Sequence, residues 1–176
     1  MTTTRTLFRY AALTLAVIAS TLTASAGIKS ARLLARIAQH TPAPVLVERG
    51  EEMKQAEAAA AQAGAIALWG LGSSMEPLYA PQTAIVVKEV AYNDIKRGMT
   101  VVYRKANGRY VAHSVIGEDA RGYIVQGVNN TEADEVSVNE KNLVGVIVAA
   151  YSANPGTFHN MMAAASGVNG KAVAMR

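Results

Sequence analysis

The sequence predicts a mainly β fold, in which an antiparallel β domain is preceded by N-terminal helical segments. From residue 65 onward, short runs of β-branched and aromatic residues recur at intervals of about ten, with turn-forming residues between them. Asn107-Gly108 separates two of these runs and is a strong hairpin signal, because both residues tolerate the positive φ angles of a tight turn. Before residue 65, apolar residues recur with a helical period instead.

Residues 1–26 have the pattern of an export signal. Arg5 and Arg9 precede a segment without charge that extends to Lys29, and residues 24–26, "ASA", form a small-residue cleavage motif. The same segment has about the 18–20 residues that a retained membrane anchor needs. The sequence leaves the cleaved signal peptide and the anchor open as alternatives. In either case we expect the arginines to stay inside and the remainder to be exported or periplasmic.

The region 27–64 is predicted to be a helical linker with two helices. "IKSARLLARIAQH" (28–40) places apolar side chains on one helical face with basic residues around it. Such a helix either lies on an anionic membrane surface or packs on the domain. "TPAP" (41–44) ends it, and "EEMKQAEAAAAQAG" (51–64) predicts a second helix that Gly64 terminates. The thin apolar face of this second helix is typical of a spacer or of a helix on the domain surface.

The β domain is predicted to occupy residues 65–151. Its strand-forming runs are "AIALWG" (65–70), "AIVVKEV" (84–90), "TVVYRK" (100–105), "RYVAHSVIG" (109–117), "YIVQG" (123–127) and "LVGVIVAAY" (143–151). We interpret Trp69 and Tyr103, which lie within these runs, as core residues. Residues 152–176 show no sustained period, and we expect them to form a loose C-terminal tail.

The composition excludes several classes of function. The chain has no cysteine, which rules out thiol catalysis, disulfides and thiolate metal sites. His40, His113 and His159 are far apart and lack metal-ligand spacing, so we expect no metal site and no cofactor. The net charge of +4 is spread along the chain and aromatic residues make up 6%, so no basic, aromatic-rich patch predicts nucleic-acid binding.

A candidate nucleophile lies in "GSSMEP" (72–77). A serine becomes a nucleophile when a neighbouring base takes its proton, and it needs an exposed turn whose backbone N–H groups face the developing oxyanion. This stretch supplies a flexible glycine, Gly72, the hydroxyls of Ser73 and Ser74, and a proline that fixes the chain beyond them. Without a partner base, an ordinary turn serine is the simpler interpretation.

His113 is the candidate base. Strand alternation puts Val111, His113 and Val115 on one face and Ser114 on the other, which argues against Ser114 as the partner nucleophile. Apolar surroundings disfavour a charged imidazolium, and a neutral imidazole is what a general base requires. The alternative is a half-buried structural histidine whose hydrogen bonds are satisfied.

Several stretches, in order, resemble the type I signal peptidase family, in its branch with a Ser–His pair. "GSSMEP" is similar to the family's "SGSMEP" nucleophile box, "YNDIKRGMTVVYR" to "DIKxGDIVVY", "YVAHSVIG" to "xVHRVI", "GYIVQGVNNTEAD" to "GYxFxTKGDNNxxxD", and "LVGVIV" to the closing "IxGxV" strand. The resemblance covers residues 68–151. The order of the boxes, rather than any single box, makes the match specific.

The resemblance implies a serine endopeptidase with a signal-peptidase-like β domain, facing the non-cytoplasmic side of a membrane. Ser74 would be the nucleophile, His113 the base and Asp134 a supporting carboxylate. The nucleophile and oxyanion turn would comprise Gly72, Ser73, Ser74 and Met75. The partners of the protein would be exported preproteins or peptides, which it would cut after small residues, and a membrane surface. The alternative for Asp134 is a solvated carboxylate in the acidic loop "NNTEADE".

The chain also departs from the family pattern. The family has aspartates where Val128 and Met99 stand, and an arginine where Ser114 stands. Gly72 replaces a serine whose hydroxyl serves the oxyanion hole in relatives, and the loss of one such donor costs on the order of 10²–10³ in rate. Two alternatives therefore remain: a weakened or inactive module that binds exported peptides, and a self-cleaving regulator with a Ser–Lys pair. His113 and the export signal argue against the second.

Overall fold

A computed structural model describes residues 32–154 of the chain. The predicted signal or anchor segment, residues 1–26, lies outside the described residues, as does the predicted tail beyond residue 154. Within residues 32–154, no helix is long and apolar enough to cross a membrane.

The described part of the chain is one seven-stranded, mostly antiparallel sheet with two α-helices before its main strands. The prediction of a mainly β fold with N-terminal helical segments is confirmed. The elements are α1 (residues 32–40), β1 (Pro44–Leu46), α2 (Glu52–Ala63), β2 (Ile66–Gly70), β3 (Thr83–Lys88), β4 (Thr100–Arg104), β5 (Tyr110–Asp119), β6 (Gly122–Gln126) and β7 (Leu143–Ser152). A short 3₁₀ turn, Tyr92–Asp94, precedes β4.

The last strand holds the two halves of the sheet together. The strand order is β2-β3-β7-β4-β5-β6, so β7 lies between β3 and β4 and pairs antiparallel with both. The short strand β1 pairs in parallel with the end of β7. The sequence did not predict β1, which has three residues, begins with a proline and lies inside the region interpreted as a helical linker.

The β4–β5 hairpin positions the histidine. Its turn contains Gly108, whose φ of 83° is the left-handed conformation that glycine adopts without strain. The register sets His113 opposite Val101, and Val111 opposite Tyr103. Residues that face each other across an antiparallel pair share a face of the sheet, so Tyr103 and His113 are diagonal neighbours on one face.

Strand β4 is buried on both faces and separates two hydrophobic cores. The first core contains Met75, Leu78, Ile85 and Val102, and it lies beneath the segment that follows β2. The second core contains Val101, Tyr103, Val115 and Val125, on the face that carries His113.

Both helices pack on the sheet. Ile37 of α1 is 2% exposed and belongs to the first core, so the described part of this helix lies on the domain. In α2, Ala56 and Ala60 pack against Ala84 and Val86 of β3. The helix ends at Gly64, in the left-handed conformation with its N–H bonded to the carbonyl of Ala60. The prediction of this helix and of its terminator is confirmed, and the small alanine face lets it approach the sheet closely.

Two aromatic residues that we interpreted as core residues differ in their positions. Tyr103 is fully buried, as predicted. For Trp69 the prediction is wrong, because its side chain is 44% exposed. It lies on β2, which pairs only with β3 and forms one edge of the sheet within the described residues.

Candidate active site

A tight turn after β2 presents Ser74. The Glu76 N–H donates to the Ser73 carbonyl at 3.1 Å, and the Tyr79 N–H donates to the Met75 carbonyl at 3.0 Å. Met75 is 5% exposed and packs in the first core, so its side chain anchors the turn from below. Gly72 and Ser73 are exposed and Ser74 is half-buried above the core.

His113 lies in the interior of β5, where the pairing with Val101 fixes its backbone. The residue is 5% exposed, in agreement with the prediction of an apolar environment between two valines. Ser114 points to the other face, as predicted, where its hydroxyl lies 3.1 Å from the Thr100 hydroxyl. His113 therefore has a fixed direction and little access to water.

Asp134 approaches the histidine from the loop that follows β6. Its backbone N–H donates to the Val125 carbonyl at 2.8 Å, which pins the loop to the end of β6. The carboxylate side chain is 9% exposed. Asp134 is therefore not a solvated loop carboxylate, which was the alternative interpretation of this acidic segment.

The three side chains form one continuous hydrogen-bonded chain. Asp134 Oδ2 lies 2.7 Å from His113 Nδ1, and His113 Nε2 lies 3.0 Å from Ser74 Oγ. A carboxylate accepts and does not donate, so Nδ1 carries the proton in a neutral ring and Nε2 is left as an acceptor. In this tautomer the Ser74 hydroxyl donates to Nε2, the arrangement in which the ring can take its proton.

The loop that follows β6 contacts the nucleophile turn and also carries the Asp134 carboxylate. The Asn129 N–H donates to the Ser74 carbonyl at 2.8 Å, and the Asn129 amide donates to the Ser73 carbonyl at 3.3 Å. A Cβ on Gly127 would come within 2.7 Å of the Ser74 carbonyl oxygen, so only glycine permits this approach. Asp134 lies in the same loop, five residues after Asn129.

The electrostatics keep Asp134 ionised. Burial by itself raises the pKa of this carboxyl. Hydrogen bonds from His113 and Tyr103, with the positive charges of His113 and Lys105, outweigh that effect and lower the pKa below its ordinary value. Sequence reasoning missed the Tyr103 contact, in which the phenol donates to Asp134 Oδ2.

The backbone at Ser74 offers a donor for an oxyanion. Within residues 32–154, the Ser74 N–H has no hydrogen-bond partner. Gly72 contributes no side chain, and a Cβ built on it would meet nothing within 4 Å. The space that a hydroxyl-bearing side chain would need at this position is therefore open.

A cleft of about 420 Å³ opens beside Ser74. Its walls come from β2 and β5, with the first core as its floor, and they are predominantly apolar. Its lining includes Leu68, Gly70, Met75, Ile85, Val102 and Ala112. An apolar cleft between strand segments can take an extended peptide.

Two residues that differ from the pattern of the resemblance have local structural roles. Val128 packs against the first core and Met99 against the second, so both make apolar contacts where that pattern has aspartates. Neither residue belongs to the Ser74–His113–Asp134 chain.

Among the described residues, no group of three or more histidines and carboxylates could hold a metal ion.

Comparison of the chain with models of known protein families gives no match, and comparison with curated protein sequences gives none either.

Proposed function

We propose that the protein is a serine endopeptidase of the signal-peptidase type, which cuts exported proteins after small residues. The observation that carries this proposal is the chain of contacts at 2.7 Å and 3.0 Å that links Asp134, His113 and Ser74. These residues are far apart in the sequence, and their order is that of the motifs in the resemblance. The Ser74 N–H, which has no hydrogen-bond partner among residues 32–154, and the adjoining apolar cleft supply the two further parts that such a reaction needs.

In the proposed mechanism, Ser74 Oγ bonds to the scissile carbonyl carbon while His113 Nε2 takes the hydroxyl proton. The carbonyl electron pair moves to oxygen, and the Ser74 N–H stabilises the resulting oxyanion. The intermediate collapses, the C–N bond breaks and the imidazolium gives its proton to the leaving amine. Water then repeats the sequence and releases the acyl group from Ser74. Asp134 keeps the ring in the required tautomer and stabilises its charged form.

The proposed substrates are preproteins or peptides with A-x-A-like sites, at the non-cytoplasmic face of a membrane or in the periplasm. The cleft supports the proposal of small side chains at the substrate positions that contact it, because packed side chains of the first core fill its floor. The basic, apolar N-terminal sequence supports a location at or beyond a membrane. No cofactor or metal takes part in the proposed reaction.

A second candidate is a weakened or inactive module of the same fold that binds exported peptides. Gly72 favours it, because the residue supplies no hydroxyl to an oxyanion hole. In this case the cleft would bind an extended peptide without cleaving it.

Cleavage of a peptide with an A-x-A site by the full-length chain tests the proposal. We expect wild-type turnover and a loss of about 10³-fold or more in Ser74→Ala, since the covalent step is removed. Ser152→Ala is the matched control, because this buried serine at the end of β7 lies outside the cleft and the triad. Equal rates in wild type and Ser74→Ala would exclude the mechanism, and peptide binding without turnover in wild type would favour the second candidate.

A further inference from the structure

Tyr103 makes a contact that the mechanism above does not use. Its ring belongs to the second core and is fully buried, while its hydroxyl reaches the end of that core and donates to Asp134 Oδ2. The same oxygen receives the hydrogen bond from His113 Nδ1. One carboxylate oxygen therefore has two donors, from β4 and β5.

We infer that Tyr103 is a positioning residue that aims the Asp134 carboxylate at His113 and stabilises the ionised form of that carboxylate. This role rests on the proposed function only where it concerns turnover. Its effect on the carboxylate and on the imidazole is a property of the folded protein in any case.

The first part of the argument is geometric. Asp134 lies on a loop, and a loop carboxylate can rotate about its side-chain bonds unless its oxygens are held. The buried Tyr103 ring cannot move without disturbing the second core, so its hydroxyl is a fixed reference point for Oδ2. The hairpin register keeps this hydroxyl and the imidazole on one face of β4 and β5.

The second part is electrostatic. A hydrogen bond to a carboxylate oxygen stabilises the anion and leaves less negative potential for a second donor. Three described residues lower the pKa of Asp134. Tyr103 lies on β4, Lys105 directly follows β4, and His113 lies on β5. Burial raises the pKa of Tyr103 most, and the hydrogen bond to Asp134 and the charge of Asp134 raise it further, so the phenol remains a hydrogen-bond donor at neutral pH.

The test is Tyr103→Phe in the full-length chain, in detergent micelles. Tyr123→Phe is the matched control: its ring lies in the same core, and within the described part of the chain its hydroxyl donates only to the backbone carbonyls of Tyr92 and Ile95. NMR titration of the Asp134 carboxyl carbon is the primary readout. In Tyr103→Phe we expect the pKa of Asp134 to move upward, because one of the hydrogen bonds that lower it is lost. Tyr123→Phe should leave the pKa of Asp134 at its wild-type value.

Turnover of the A-x-A peptide is the second readout. We expect kcat to fall about tenfold with KM nearly unchanged, because the imidazole is less well oriented while the cleft that binds the peptide is untouched. An unchanged pKa of Asp134 in folded Tyr103→Phe would overturn the inference. If wild type lacked turnover, the proposed function would fail, and the NMR titration of Asp134 would still decide the role of Tyr103.

A measurement on the wild-type protein keeps the inference testable if Tyr103→Phe does not fold. Two protons that share one acceptor lie close together, so the Tyr103 hydroxyl proton should show a nuclear Overhauser effect to the His113 Nδ1 proton. It should also exchange slowly with water, because the residue is buried. Rapid exchange without this contact would overturn the inference.

Discussion

At the residue scale, Gly72 is a point at which the site differs from the signal peptidase pattern that the sequence resembles. That pattern has a serine at this position, whose hydroxyl serves the oxyanion hole. In this chain the position is exposed, and nothing lies within 4 Å of where a Cβ would be. The backbone at Gly72 therefore accommodates a side chain without strain. The glycine is not needed for the shape of the turn, and its effect is the lack of a hydroxyl that could serve an oxyanion hole.

Gly72→Ser is expected to raise kcat by about 10- to 100-fold, because one added oxyanion donor is worth up to 10²–10³ in rate. Gly72→Ala is the control, since it adds the Cβ without the hydroxyl and should leave kcat within about twofold. Peptide turnover by both variants under saturating substrate provides the comparison. Equal rates for Gly72→Ser and Gly72→Ala would show that the added hydroxyl does not reach the oxyanion.

Also at the residue scale, the sequence predicted the site in part. "GSSMEP" and "YVAHSVIG" identified Ser74 and His113 because a turn serine and a strand histidine have recognisable local contexts. Tyr103 could not be identified in this way. A tyrosine in a β-branched run is typical of a core, and its contact with Asp134 spans 31 positions in the chain. Nothing local in the sequence marks such a contact.

At the element scale, three buried hydroxyls connect α1 to the back of the histidine strand. Thr41 Oγ1 donates to the Gly98 carbonyl at 2.9 Å, and it lies 3.0 Å from Thr100 Oγ1. Since Thr41 has given its only proton, Thr100 must donate to Thr41 and Ser114 must donate to Thr100. The chain of hydroxyls therefore has one direction, and it joins the end of α1, β4 and β5.

Thr100→Val is expected to reduce the free energy of unfolding by about 1–3 kcal/mol, because the Ser114 hydroxyl loses its buried acceptor. The double variant Thr100→Val/Ser114→Ala removes donor and acceptor together. Its destabilisation should be smaller than the sum for the two single variants. Urea unfolding measures all three, and strict additivity would contradict the hydrogen-bonded chain.

Strand prediction succeeded where the signal is local and failed where it is not. The alternating runs and Asn107-Gly108 identified β4 and β5 because each depends on adjacent residues. Strand β1 has three residues and too little sequence to alternate. The edge position of β2, which exposes Trp69, and the insertion of β7 between β3 and β4 depend on pairings across the whole chain.

At the scale of the whole molecule, Asp134 links the site to the stability of the fold. Its pKa is lowered in the folded chain from the ordinary value of 3.8. As pH falls below that value, the unfolded chain takes up a proton before the folded chain does. Protonation therefore favours unfolding, and the stabilisation that Asp134 contributes is present above about pH 4 and lost as pH falls through the folded pKa.

Asp134→Asn is expected to lose about 1–3 kcal/mol of unfolding free energy at pH 6, because two hydrogen bonds to a charged acceptor are weakened. The difference in unfolding free energy between Asp134→Asn and wild type should become smaller as the pH is lowered from 5 towards 3. Asp119→Asn is a suitable comparison, since among residues 32–154 this half-buried carboxylate bonds only to nearby Arg121 and Ser137. Urea unfolding at several pH values provides the measurement, and a gap that stays constant with pH would contradict the account.

The whole arrangement depends on Ser74 and His113 acting as a unit, and the kcat of Ser74→Ala/His113→Ala tests this most directly. Residues that share one proton transfer are non-additive, so the double variant should be as slow as either single variant, within about threefold. The same A-x-A peptide serves for all three variants, with thermal unfolding as the check that each is folded. If instead the two single losses multiplied in the double variant, the hydroxyl and the imidazole would act independently, and the account would be wrong.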